Sequence, residues 1–310
     1  MTLHLISQLP EPFTASITGT PPGLAVTHIP RGVPDDLPGD ARILIAAPFS
    51  RPGELPARKP AGWPFAIDWI QLVSVGIDFY PPWLFEGPVV TTARGSSSIA
   101  LAEFALAAIF AHAKRLPEIW IDSPDRWTST PLAAVAGTTL GIIGFGSIAE
   151  ELAPRAQALG MNVIAVRRTD APFSGVTRVD TDTLFATADH VVLAAPLTDD
   201  THHLVDARRL ALAKPGQHII NIARGGLIDD TALLAALDAG TVTATLDVTH
   251  PEPLPAGHPF YTHKTVRLSP HTSVATAGTR AALAHRFADN LDRYRAGLAL
   301  ANIVDLSRGY

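Results

Sequence analysis

The segment Gly141-Ile-Ile-Gly144-Phe-Gly146-Ser147-Ile148-Ala149 carries the first recognisable chemistry in the chain. A G-x-G-x-x-A core that follows an apolar run and opens a helical pattern is suited to a dinucleotide. Gly144 permits a tight turn, and Gly146 lets backbone N–H groups, with Ser147 and Ile148 next in line, approach a pyrophosphate at the positive end of the helix. Ala149 is small enough for strand–helix packing. Glycines alone serve any sharp turn; the strand before and the helix after favour the nucleotide. At the end of the next apolar run, an acidic residue would hold the ribose 2′-hydroxyl of NAD. Here the chain reads Val166-Arg167-Arg168-Thr169. Cations at that point favour a 2′-phosphate, and so NADP(H) over NAD(H), with NAD(H) still possible. The competing reading is a solvated pair of arginines. Other chemistries find less support. The histidines, among them His202, His203, His250, His258 and His263, form no H-x-x-x-H or H-E-x-x-H pair and have no acidic cluster beside them, so no metal is expected. There is no G-x-S-x-G elbow, and Gly95-Ser-Ser-Ser98 reads as a helix N-terminal cap.

Short apolar runs alternating with helical patterns must position these residues. Strands are expected at 3–9, 24–29, 42–47, 71–75 and 89–92, each ending at Pro, Gly or polar turns. From Thr139 the alternation is more regular, with strands at 140–143, 161–166, 191–194, 218–222, 243–247 and 265–268. Helices are expected from the glycine turn to Leu159, with Gly160 as its stop, and at 206–213 and 230–239. Pro154 lies inside the first of these and should kink it. A long helix at 97–115 is expected to bridge two parts of the chain, and a last helix at 280–297 to return to the first part. Strand–helix alternation of this kind argues for parallel sheets covered on both faces.

Length suggests about two domains at roughly 150 residues each. In 310 residues, Lys+Arg 24 against Asp+Glu 29 gives a net charge of −5 with no basic run, which leaves no footprint for nucleic acid or an anionic membrane. Hydrophobic residues at 47% and charged residues at 17% exclude a disordered solvating chain. Zero cysteines exclude disulfides, thiolate catalysis and cysteine-ligated metals, and fit a reducing, cytoplasmic setting. The first ten residues have neither a basic n-region nor a long apolar h-region and are not read as a secretory signal. The most apolar stretch, 99–111, carries Glu103 and is too short to span a membrane.

Three further segments complete an ordered set: His218-Ile-Ile-Asn221-Ile-Ala223-Arg224-Gly225-Gly-Leu-Ile-Asp229, Leu246-Asp247-Val-Thr-His-Pro-Glu252-Pro-Leu-Pro255, and Leu268-Ser-Pro-His271. Together with the glycine turn and Ala195-Pro196-Leu197-Thr198, they resemble the D-isomer-specific 2-hydroxyacid dehydrogenases. The resemblance is dense from about Leu140 to Ser273. Before residue 94 it thins to Ser74-Val75-Gly76-Ile-Asp78 and Ala102-Glu103.

The resemblance implies two doubly wound α/β parallel-sheet domains, a Rossmann-type nucleotide domain at 94–273 and a flavodoxin-like substrate domain at 1–93 with 274–310. They would close on substrate and exclude water. It implies a catalytic set of Arg224, Glu252 and His271. A carbonyl that receives hydride becomes an alkoxide and needs a proton, and an imidazole, with its ordinary pKa of about 6.5, is a suitable acid. Glu252 would pair with the other ring nitrogen of His271. Arg224 would grip the substrate carboxylate or carbonyl with a planar fork of donors. Backbone N–H groups near Val75 and Gly76 would hold the carboxylate from the other domain, and Asp247 would meet the nicotinamide carboxamide. Ala195, Pro196, Thr201 and Ala223 join the glycine turn, Arg167, Arg168 and Thr169 as implied cofactor contacts. Singly, Arg224 reads as a salt-bridge partner, Glu252 as a solvated acid and His271 as a satisfied loop histidine.

Two departures from the family stand out. Ser269 occupies the place of a usual Thr, and Arg94 lies where Asn is common, as a second anion contact or a surface residue. With Arg167-Arg168 and Pro172-Phe-Ser-Gly175-Val176, the chain looks most like the glyoxylate/hydroxypyruvate reductase branch, and a homodimer is implied. The alternatives are an NAD-dependent enzyme of a larger acid and a non-catalytic, corepressor-like dinucleotide sensor.

Overall fold

The computed structural model describes residues 2–19, 21–49, 55–56, 58–116, 118–168 and 175–306. The chain divides after Ser97 and again after Ala275 into two compact units, the first made of the N-terminal segment and the C-terminal tail. The expected breaks, after residues 93 and 273, lie just before these.

In the first unit, β1 (Leu3–Ser7), β2 (Leu24–His28), β3 (Ala41–Ala46), β4 (Trp69–Leu72) and β5 (Val89–Thr91) form a parallel sheet in the order β2-β1-β3-β4-β5. Helices at Glu11–Thr18 (α1) and, from the chain's end, Ala277–Arg295 cover one face. There Leu5, Ile43 and Ile45 pack with Ile17, Leu283 and Leu291, and Trp69 stacks on Phe287 at 5.3 Å. Among the described residues the opposite face has no long helix. Its apolar side chains, Ile6, Leu44, Ile70 and Leu72, are sealed by Phe49, Trp63, Tyr80 and Trp83 from irregular chain and one 3₁₀ turn at Pro82–Phe85. Trp63 and Trp83 meet edge to face at 4.9 Å. Pro48, Pro56, Pro60, Pro64, Pro81 and Pro88 explain why this stretch packs as loop, since proline removes a backbone donor and clashes in a helix interior.

The second unit holds a seven-stranded parallel sheet. Its strands are β6 (Thr139–Ile143), β7 (Asn162–Val166), β8 (Thr177–Arg178), β9 (His190–Leu193), β10 (Gln217–Asn221), β11 (Val242–Leu246) and β12 (Val266–Leu268), in the order β12-β11-β10-β9-β6-β7-β8. α2 (Ser98–Ala113) and α3 (Ser147–Ala158) cover one face; α4 (Thr181–Thr187), α5 (Ala207–Leu210) and α6 (Asp230–Asp238) cover the other. The final helix, Ala277–Arg295, is α7. The expected bridging helix α2 lies wholly in the second unit and packs on α3 and β10. α3 is one continuous element through Pro154, which faces solvent. The helix expected at 206–213 is only α5. Beyond it Leu212 and Ala213 donate three residues back, to Arg209 and Leu210, and Pro215 keeps Lys214 from extending the helix. Among the described residues no helix is long and apolar enough to cross a membrane.

All seven strands run the same way, so their carboxyl ends share one edge of the sheet. Chain order reverses between β6 and β9, and ligands bind open α/β sheets outside the carboxyl ends at such a switch point.

Candidate active site

Each residue singled out in the second unit follows a strand on that edge. Gly144 comes after β6, Arg167 and Arg168 after β7, Ala195 and Pro196 after β9, Ala223 and Arg224 after β10, Asp247 after β11 and His271 after β12.

The glycine turn fits a dinucleotide. Gly144 has φ 93° and donates its N–H to the Val166 carbonyl at 3.0 Å. A Cβ there would lie 2.7 Å from the backbone of Ala195, so only glycine lets the turn pass this close to the end of β9. A Cβ on Gly146 would meet nothing within 4 Å, which leaves space above the first N–H groups of α3 at Ser147 and Ile148. Those residues are half-buried, while Ala149 beneath them is fully buried against the sheet. On the far side, Thr201 closes the loop after β9. Its hydroxyl donates to the Pro196 carbonyl at 2.7 Å and accepts from Thr198 N–H at 2.8 Å. Arg168 is exposed and Arg167 half-buried, and a third cation joins them: Arg178 of β8 donates to the Arg167 carbonyl at 3.2 Å. Thr169 and residues 170–174 lie outside the described residues.

The catalytic candidates meet on the loops after β10, β11 and β12. His271 and Glu252 are hydrogen-bonded, Nδ1 to Oε2 at 2.9 Å, each about 30% exposed. A carboxylate only accepts, so Nδ1 carries the proton and the tautomer is set. The other carboxylate oxygen of Glu252 accepts from Thr249 N–H at 3.0 Å. His271 sits at φ 49°, a left-handed conformation rare outside glycine, and donates its N–H to the Asp247 carbonyl at 2.8 Å. The fully buried Asp247 carboxylate accepts from Ser269 Oγ at 2.5 Å, Thr272 N–H at 3.0 Å, Ser273 N–H at 3.1 Å and Ser273 Oγ. These four bonds use the acceptor capacity of a carboxylate. The group expected at the nicotinamide carboxamide holds the His271 loop.

Arg224 projects from the turn after β10, and its guanidinium donates to the Ala223 carbonyl at 2.7 Å. The next residue, Gly225, is pressed so closely on the Glu252 loop that a Cβ would lie 2.0 Å from the Thr249 carbonyl carbon. Asn221, Gly225, Thr249, Ser273 and Arg178 all shape the site without having been singled out from sequence. For Asn221 and Gly225 the available signal was their place beside Arg224 at a strand end.

In the first unit, Val75 and Gly76 lie just past the carboxyl end of β4. Val75 is exposed, and the turn is braced by Ser74 Oγ, which donates to the Gly76 carbonyl at 2.7 Å and hydrogen-bonds the Tyr80 hydroxyl at 3.2 Å. Arg94 is exposed. Among the described residues no group of three His, Asp or Glu side chains is arranged to hold a metal ion.

Comparison with known proteins follows the same lines. A family profile described as "D-isomer specific 2-hydroxyacid dehydrogenase, NAD binding domain" matches residues 106–273. The glyoxylate reductase of Thermococcus litoralis is 35% identical over 235 residues, 71% of this chain and 71% of that one. The D-3-phosphoglycerate dehydrogenase of Archaeoglobus fulgidus is 33% identical over 229 residues, 71% of this chain but 44% of that protein. Among solved structures, a D-isomer specific 2-hydroxyacid dehydrogenase from Xanthobacter autotrophicus Py2, in complex with NADPH and MES, aligns over 100% of both chains with a TM-score of 0.80 and 26% identity.

Proposed function

The chain belongs to the D-isomer specific 2-hydroxyacid dehydrogenase family, as an NAD(P)-dependent oxidoreductase with two parallel-sheet α/β domains, and we propose that it reduces small 2-keto acids with NADPH. Glyoxylate and hydroxypyruvate are the proposed substrates, and the cytoplasm the proposed compartment. The observation that carries the reading is the hydrogen-bonded His271–Glu252 pair on the ligand-binding edge of the sheet, with the Arg224 turn packed against the same loop.

The residues divide the work by chemical type. Gly144, Gly146, Ser147 and Ile148 would hold the pyrophosphate against the N-terminus of α3, beside Ala195 and Pro196. When bound, the nicotinamide supplies hydride to the carbonyl carbon of the acid. His271 donates a proton from Nε2 to the carbonyl oxygen, because Nδ1 is committed to Glu252. Glu252 stabilises the imidazolium and fixes the ring. Arg224 neutralises the substrate carboxylate, and the guanidinium fork sets its orientation. The Val75–Gly76 backbone is the proposed second carboxylate contact. Preference for NADPH rests on the cationic group of Arg167, Arg168 and Arg178 after β7, where an acid would repel a 2′-phosphate.

A homodimer is the proposed assembly. Trp120 is 64% and Trp127 83% exposed, with Ile121 and Leu132 also exposed on the same stretch, an apolar display that single soluble chains rarely carry. Light scattering should give twice the 32.8 kDa chain mass, and a Trp127→Glu variant the mass of one chain.

The test of function is nicotinamide absorbance with glyoxylate, hydroxypyruvate and pyruvate, each against NADPH and NADH. Fast NADPH oxidation with the first two is the expected result, and His271→Ala should lower turnover by roughly a hundredfold or more. Preference for NADH would remove the arginine assignment and leave the family intact. Nucleotide binding without turnover of any 2-keto acid would favour the sensor.

A further inference from the structure

Asn221 is the last residue of β10 and is fully buried. There the chain leaves the ladder, and the peptide groups of 222–224 lose their neighbouring strands as partners. Buried backbone groups must find other partners, and the Asn221 side chain supplies two. Its Nδ2 donates to the Arg224 carbonyl at 2.8 Å, and its Oδ1 accepts from Ala223 N–H at 3.1 Å. The side-chain amide thus takes the place of a missing strand, in the manner of an Asx turn. Its own backbone carbonyl accepts from Asp247 N–H at 3.0 Å. That bond matters because Asp247 holds the His271 loop, as described above.

We propose that Asn221 is a positioning residue for the reaction: its carboxamide fixes the turn that aims Arg224, and its carbonyl ties that turn to the strand end that carries Asp247. This rests on the reading of Arg224 as the substrate-carboxylate contact. The contacts close into a ring, from Asn221 through Asp247 to His271, on to Glu252 and Thr249, and back through Gly225 to Arg224. The residue type is specific. An aspartate of the same shape has no donor and would set an oxygen against the Arg224 carbonyl. A leucine would leave the Ala223 N–H unpartnered and the Arg224 carbonyl with only the longer bond from Leu227 N–H, at 3.3 Å.

Asn221→Asp tests this, with Asn221→Ser as a milder second variant whose hydroxyl can still donate and accept. Arg224→Gln serves as the reference. For each, KM and kcat with glyoxylate, Kd for NADPH by its fluorescence, and melting temperature are measured, and Asn221→Asp or Asn221→Ser is crystallised. The expected result is a KM raised at least tenfold in Asn221→Asp and less in Asn221→Ser, with the NADPH Kd within twofold of wild type. A purely structural role would lower the melting temperature and the active fraction while KM stays unchanged. A KM within twofold of wild type in both variants overturns the proposal. If Arg224→Gln keeps the wild-type KM, or the wild type reduces no small keto acid, the functional reading fails instead, and the crystal structure decides. Displacement of residues 222–224 and of the Arg224 guanidinium supports the positioning role; superposition on the wild-type turn overturns it.

Discussion

Replacing Gly225 with alanine should disable the enzyme without touching a catalytic side chain. The added Cβ would lie 2.0 Å from the carbonyl carbon of Thr249, 2.3 Å from its oxygen and 2.4 Å from the His250 nitrogen. Ordinary carbon–carbon contact needs about 3.5 Å, so one backbone must retreat by about 1.5 Å. Both are main chain, with no flexible side-chain end to swing aside. The Thr249 N–H holds one oxygen of Glu252 at 3.0 Å, and the other oxygen holds His271 at 2.9 Å. A shift of this size is therefore passed directly to His271, the proposed proton donor. Misplacement by about 1 Å costs on the order of a hundredfold in rate, and overpacking costs roughly 1–3 kcal/mol of stability. We expect kcat/KM for the best 2-keto acid to fall about a hundredfold in Gly225→Ala, by the same reasoning, with NADPH affinity retained. Gly226→Ala is the control. Its Cβ meets only side chains, the end of Leu197 at 3.0 Å and His202 at an ordinary 3.8 Å, and should change the rate by a few-fold at most. Wild-type kcat/KM in Gly225→Ala, with an unchanged melting temperature, would refute the coupling of the two loops.

Two further outcomes follow from side-chain chemistry. Glu252→Gln keeps the shape of the side chain and removes the charge beside His271, so kcat should fall roughly a hundredfold while fluorescence titration finds NADPH affinity unchanged; an undiminished kcat would remove Glu252 from the mechanism. The second concerns acid stability and a cluster at the amino-terminal edge of the second sheet, where His112 stacks on His218 at 4.4 Å and His190 meets both edge-on at 5.9 and 5.7 Å. Burial pushes His190 down to about 4, helped by His112 and opposed by Asp189, and pushes His218 well below the usual range; burial and then Arg267 lower His112. Asp189 is itself held by Lys214 at 2.9 Å, and Arg267 by Glu118 at 3.2 Å. The unfolded chain takes up these protons near pH 6.5, whereas folded His190 resists them to about pH 4. The unfolded state thus binds more protons in that window, and stability is present above it and lost as pH falls through it. His190 alone should contribute about 3 kcal/mol. Urea midpoints between pH 7.5 and 4.5 should fall accordingly, and less steeply in His190→Leu; a flat profile in the wild type would contradict the buried cluster.

Much of the candidate site was legible because each parallel strand hands its singled-out residue to the next few positions of the chain. Gly144, Arg224, Asp247 and His271 each follow an apolar run, and their order along the sequence needs no knowledge of which strand lies beside which. What was not legible depends on lateral register. His190 and His218 sit opposite one another only because β9 and β10 pair at those residues, and His112 arrives from α2, so no spacing along the chain could join the three. Gly225 has the same character. Its need for hydrogen at Cα comes from a backbone 24 residues further on, whereas Gly144 announces itself within a local turn. The aromatic seal on the first sheet is a third case, since Trp63 and Trp83 fill by volume a face that alternation alone would cover with a helix. Asp247 shows how type and place can be read while a structural task is not. An acid after β11 reads as a ligand contact, yet the Ser269–Ser273 loop must satisfy its own buried N–H and hydroxyl groups, and the nearest carboxylate does this. The departure from Thr to Ser at 269 fits that arrangement, because the bond to Asp247 uses the hydroxyl that both residues share.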